Sequence, residues 1–214
     1  MIKLRNIQRN PGRLGSNAIA ACLAAALLAF PTGVSIAQDK SGYKVGERLP
    51  AKGAAKSTTN KPSPFKLVTW EDLIPKDWDP MKGFKDLNLQ TMDDSDPRAM
   101  KALDELREWW DKAPVRQDIN KTLIRIPGFV IPLERQKDRM TEFLVVPYFG
   151  ACIHTPPPPS NQMIHAIAER PVAGFRSMDA AWISGEIETI RSDTGFGAAS
   201  YRMKVTSVEV YKRP

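Results

Sequence analysis

The sequence predicts a mainly β domain with one helix: a small five-stranded OB-like barrel, preceded by an amphipathic helix and a flexible leader. Three observations carry that class. Five short runs after residue 120 alternate apolar and polar residues. One run of helical period, opened by Asp-Pro and closed by Ala-Pro, stands before them. The strands are short and hold internal glycines, so a sheet closed on itself removes edges they would otherwise expose. An open sheet with a packed helix is the second architecture.

Residues 1–37 read as a secretory signal peptide. Lys3, Arg5, Arg9 and Arg13 give a basic start, AIAACLAAALLAF is uncharged and apolar, and Ser35-Ile36-Ala37 places small residues for cleavage after Ala37. The apolar run is short for a membrane span. Ile19-Ala20-Ala21-Cys22 resembles a lipobox, but most of the apolar run follows the cysteine, which favours a Cys22 lost with the signal. The expected location is therefore the periplasm or beyond. Membrane association is expected only if the signal stays uncleaved or Cys22 is lipidated.

The formal net charge of +7 is partly a property of this signal, whose four basic residues have no acidic counterpart. Residues 38–214 hold 27 basic against 24 acidic groups, without the basic stripe that nucleic-acid binding needs. Cleavage also leaves Cys152 as the sole cysteine, unable to form an internal disulfide.

Residues 38–64 are polar and rich in Lys, Gly, Ser, Thr and Pro, and are expected to be a flexible leader. A single domain is expected over 65–214. FKLVTWEDLIPKDWDP predicts a short strand at 66–70 and a helical turn at 71–74, with Trp70 and Trp78 packed on the main body. Asp93, Asp94, Ser95 and Asp96 before Pro97 cap a helix over 97–112, with Met100, Leu103, Leu106 and Trp110 at helical spacing. The aspartates are read as a cap rather than a cation site. The strands follow as KTLIRIPGFVIPLE, kinked or bulged at Pro127-Gly128, TEFLVVPYFGACIH, broken at Pro147, QMIHAIAE, DAAWISGEIETIRS and ASYRMKVTSVEVYKR.

The stretch PYFGACIHTPPPPSNQMIH concentrates the chemistry. In an extended chain Cys152 and His154 would point to one face and could hold Zn²⁺ or copper. The same pair could be a nucleophile with its base, or Cys152 could simply fill the core. His165, eleven positions on, is a candidate third ligand if the flanking strands pair, and Glu134 and Glu142 are weaker ones. Pro156, Pro157, Pro158 and Pro159 predict polyproline II, a rim that needs no ordering. With Tyr148, Phe149 and Asn161 this rim is a candidate partner-binding surface. No nucleotide-binding, hydrolase or metalloprotease motif is present.

The segments RIPGFVIPLE, EFLVVPYFGACIHTPPPPSNQMI, AWISGEIET and YRMKVTSVEVY, with WEDLIP, resemble the bacterial domain-of-unknown-function family numbered 3299. The resemblance implies an exported protein, in some relatives a lipoprotein, and a periplasmic accessory role in transition-metal handling beside a metal-transport system. Its shared motif falls on Tyr148, Gly150, Cys152, His154, Pro156 to Pro159 and Asn161. His165 departs from that pattern.

Overall fold

A computed structural model describes residues 42–51, 63–82 and 96–213. The expected signal peptide, the lipobox-like Cys22, most of the leader and Asp93 to Ser95 lie outside the described residues.

In chain order the elements are β1 (Lys66–Leu67), α1 (Pro97–Asp111), β2 (Thr122–Gln136), β3 (Arg139–Val146), β4 (Ile164–Val172), β5 (Ala180–Glu188), β6 (Ser192–Thr194), β7 (Gly197–Ala199) and β8 (Tyr201–Val210). Five of these strands close on themselves in the order β2-β3-β4-β8-β5 and back to β2. All pairings around the ring are antiparallel except β4 with β8, which run parallel from Ile164–Tyr201 to Ala168–Val205. Closure depends on the length of β2. Its first half pairs with β5 and its second half with β3, and the change of partner falls at Phe129, just after Pro127-Gly128. The ladder with β5 passes through that pair without a register shift.

A shift does occur between Ser184 and Gly185, where β5 meets β8. A Cβ on Gly185 would lie 2.1 Å from the Lys204 carbonyl oxygen, so only glycine fits the close approach.

Both faces of the sheet are covered. Inside, Ile124, Ile126, Val130, Phe143, Val145, Ile164, Ile183 and Met203 fill the barrel, and Trp70 and Leu73 close it. Tyr201 crosses this core: its hydroxyl donates to the Leu73 carbonyl at 2.8 Å and accepts from Arg116 N–H at 2.8 Å. Outside, Phe129, Ile131, Leu144, Val146, Met163 and Trp182 make a second core.

That outer core corrects the expected leader. Residues 42–51 are packed onto it: Leu49 is buried, and the Tyr43 ring meets Phe129 edge-on at 5.1 Å and stacks on Phe149 at 6.0 Å. Tyr211 donates to the Pro50 carbonyl, and the Arg213 guanidinium lies 4.1 Å from the Tyr43 ring centre.

The helix stands where its cap and terminal prolines put it, with Asp96 accepting from Arg98 N–H. Its buried residues are Ala99, Ala102 and Leu106, whereas Met100 and Leu103 are 56% and 41% exposed. The helix is held at its far end, where the Trp109 and Trp110 indoles donate to the carbonyls of Asp79 and Pro80. Trp78 stacks on Trp109 at 6.0 Å. The hairpin of β6 and β7 has no counterpart in the sequence reading.

Candidate functional site

β3 ends at Val146, at the expected break before Pro147, and the run does not resume as a strand toward His154. Pro147 has no N–H to donate. The next residues pair instead with the N-terminal segment, through Gly46 N–H to Phe149 O at 2.8 Å and Phe149 N–H to Glu47 O at 2.9 Å. Gly150 then takes φ +86° and Cys152 φ +64°. The Gly150 carbonyl accepts from the backbone N–H groups of Ile153, His154 and Thr155, at 2.8 to 3.2 Å. Cys152 and His154 thus sit in a tight turn, not on an extended strand, and the alternation that put both on one face does not operate.

Cys152 is half-buried against the outer core, and burial pushes its thiol up to about 11. His154 is exposed. His165 lies on β4, its Nε2 3.2 Å from Glu142 Oε2 and its Nδ1 buried without a partner. Glu134 is paired in register with Glu142 near the turn of the β2–β3 hairpin. Among the described residues, no three His, Cys, Asp or Glu side chains gather as a metal site requires, so His165, Glu134 and Glu142 do not complete one at Cys152. As placed, this donor set does not fit a zinc or copper ion on its own.

The rim residues divide. Phe149, 3% exposed, is a core residue and presents nothing to a partner. Asn161 is fully buried, its amide donating to the Pro114 carbonyl at 2.9 Å. Tyr148 is half-buried, its hydroxyl 3.4 Å from the Pro156 carbonyl, and burial raises its pKa. Pro156 and Pro157 are exposed, Pro158 is buried, and Pro159 has the φ of −51° and ψ of 145° of polyproline II.

Behind the tract, a buried polar series bolts it down. Ser160 Oγ donates to the Asp111 carbonyl at 3.0 Å, Ser200 Oγ donates to Ser160 Oγ at 2.8 Å, and the Gln162 amide donates to the Trp70 carbonyl at 2.8 Å. Arg191 holds both carboxylate oxygens of Asp111 at 2.9 Å. The end of α1 and the proline tract are therefore fixed relative to each other. Between them runs a groove of about 360 Å³, walled by Trp110 and Asp111 on one side and Pro156 and Pro157 on the other, with Gly197 and Ala198 of β7 at its base. Gly197 has φ +122°, and a Cβ there would press on Pro157 at 3.3 Å. Of this groove only the prolines were marked by the sequence. Trp110 has the spacing of a helix face, and nothing local in RSDTGFGAAS signals that this segment folds against the tract.

The family described as "Protein of unknown function (DUF3299)" matches residues 70–210. The chain belongs to the DUF3299 family. A crystal structure of a DUF3299 family protein from Pseudomonas aeruginosa PAO1 is similar to it, with a TM-score of 0.55 and 29% identity, over 70% of this chain and 98% of that one. No curated protein matches. The DUF3299 match spans α1, the closed barrel, the proline tract and both walls of the groove. The packed residues 42–51 precede it.

Proposed function

We propose that this DUF3299 protein is an exported, non-enzymatic interaction module of the periplasm, which docks an extended apolar segment of a partner protein in the groove between the proline tract and the end of α1. The observation that carries the reading is the construction of the groove. Both walls are rigid before any partner arrives: polyproline II needs no ordering, and Ser160, Ser200 and Arg191 hold the tract and helix together. Its surface is an indole beside proline rings, the kind of apolar wall against which extended peptides pack. Cys152 is then structural, packed on the outer core beneath the turn.

The test is a random-peptide display selection on the purified protein, followed by affinity measurement on variants. Selected peptides should lose at least about tenfold in affinity, the usual effect of a hot-spot truncation, on Trp110→Ala and on Pro157→Ser. Cys152→Ala should lower the melting temperature and leave affinity intact. Peptides that bind wild type and both groove variants equally would refute the reading.

Handling of zinc or copper for a transport system is the second reading. What favours it is that half-buried Cys152 and exposed His154 share one turn, so a partner could bring the remaining donors. Binding of a histidine-containing peptide that requires Zn²⁺ and is abolished by Cys152→Ser, with Zn²⁺ alone leaving the melting temperature unchanged, would select it over the first.

A further inference from the structure

The base of the groove holds two backbone groups that the fold leaves without a partner. β6 and β7 form a two-stranded sheet of their own, so each pairs along one edge only. Thr194 and Gly197 close the hairpin around two residues, with Asp193 opposite Ala198 and Ser192 opposite Ala199. A closing pair of this kind exchanges its backbone hydrogen bonds, and the next pair along an antiparallel ladder does not. Ala198 N–H and C=O therefore point away from β6. Ser200, two positions on, confirms the direction: its N–H turns the same way and donates to the Ser160 carbonyl at 2.8 Å. Ser160 and Ala198 both line the groove, so this open edge of β7 faces it. Among the described residues nothing bonds to the N–H or C=O of Ala198. The adjacent tract cannot supply the missing donor, because Pro156 to Pro159 have no N–H. Ala198 is only 9% exposed, and backbone groups so far withdrawn from water are costly to leave unpaired.

We infer that the groove reads its ligand through the main chain: an extended peptide joins the small sheet as a third strand beside β7, where Ala198 N–H donates to a peptide carbonyl and Ala198 C=O accepts a peptide N–H. This mode of binding rests on the groove being the docking site proposed above, and it adds a register. Trp110 and the proline rings would accept an extended apolar chain at many offsets, whereas two fixed backbone bonds select one. The anchor is a single point rather than a long ladder, since β7 has three residues and Ser200 is already bonded to Ser160. It also sets a rule for the ligand. The peptide residue that supplies the N–H cannot be proline, although prolines at other positions suit the walls.

The probe is the tightest peptide from the display selection, bound to the purified protein. Replacing each of its amides in turn by an ester removes one N–H and keeps the side chain. One position should lose at least about tenfold in affinity, because the Ala198 carbonyl is then buried without a donor, and the others should lose less. Proline should be absent from that position among the selected sequences. Amide hydrogen exchange followed by NMR reads the protein side. Ala198 N–H should exchange at least about tenfold more slowly with peptide bound, whereas Ser200 N–H, bonded from the outset, should change little. A peptide whose affinity falls on Trp110→Ala, yet which tolerates every ester and leaves Ala198 exchange unaltered, would overturn main-chain reading and leave the groove as the docking site. An ester-sensitive position without protection of Ala198 would put the backbone contact elsewhere and overturn it as well. A selection that yields no groove-dependent peptide would end both proposals together.

Discussion

At the scale of single residues, the chemistry promised by Cys152 and His154 depended on an extended backbone that the chain does not adopt. Pro147 ends the strand and Gly150 turns it, and both are plain in the sequence. Their combined effect, three N–H groups gathered on one carbonyl, is a three-dimensional outcome that no two-residue spacing encodes. The thiol that results is pushed up to about 11 by burial. It should therefore react slowly with iodoacetamide at neutral pH, well behind a free thiol of ordinary pKa. Fast labelling of the folded protein would contradict this placement. Tyr201 gives a second residue-level expectation. Burial pushes its hydroxyl up to about 12 from an ordinary 10.0. Because the folded state holds the proton more tightly than the unfolded chain, this contribution to stability is complete below about pH 10 and is lost as pH climbs to about 12. Thermal melts across that window should fall, and Tyr201→Phe should flatten part of the fall, leaving the part due to Cys152, Tyr148 and Tyr211, whose shifts run the same way. The same substitution leaves the Leu73 carbonyl and Arg116 N–H without their buried partner, a loss of about 1–3 kcal/mol at neutral pH.

At the scale of elements, the contacts between β5 and β8 turn on Gly185. Any side chain there meets the backbone of Lys204, which cannot move without disturbing β8. Gly185→Val should cost about 1–3 kcal/mol or more, read as a lower denaturant midpoint. A midpoint equal to that of wild type would show that the two strands separate more readily than their register implies. The barrel strands were legible because alternation survives even where both faces are buried: Trp182 and Ser184 lie to one side of β5, Ile183 and Ile187 to the other. The extent of α1 was legible from Asp96-Pro97 and Pro114, but the side it buries was not. Met100 and Leu103 look like core residues in a helical wheel. The side that actually faces inward is fixed by two indoles reaching Asp79 and Pro80, thirty residues away. The hairpin of β6 and β7 was invisible for the opposite reason, since three-residue strands are too short to show a period.

At the scale of the whole molecule, the barrel is not complete without what precedes it. The matched family span starts at Trp70, yet the outer core over Phe129, Phe149 and Trp182 is roofed by residues 42–51 and by the chain end at Tyr211 and Arg213. Both ends of the described chain therefore clasp the same face, and Arg213 ties them together through the Gly42 carbonyl at 3.0 Å and the Glu47 carboxylate at 2.7 Å. The turn that carries Cys152 hangs from the same clasp, because Phe149 exchanges its backbone hydrogen bonds with Gly46 and Glu47. Removing residues 1–62 should consequently do more than shorten a leader. It uncovers the Phe129 and Phe149 rings, which meet edge-on at 5.5 Å, and frees both backbone groups of Phe149, a loss of about 2–5 kcal/mol if it equals one large core truncation. The shortened protein should melt earlier, bind a hydrophobic dye, and show faster alkylation of Cys152 as its turn loosens. Tyr43→Ala in the full chain should reproduce a smaller share of each effect. If the shortened protein melts with wild type and its thiol stays protected, residues 42–51 are a passenger, and the outer core must be sealed by the barrel alone.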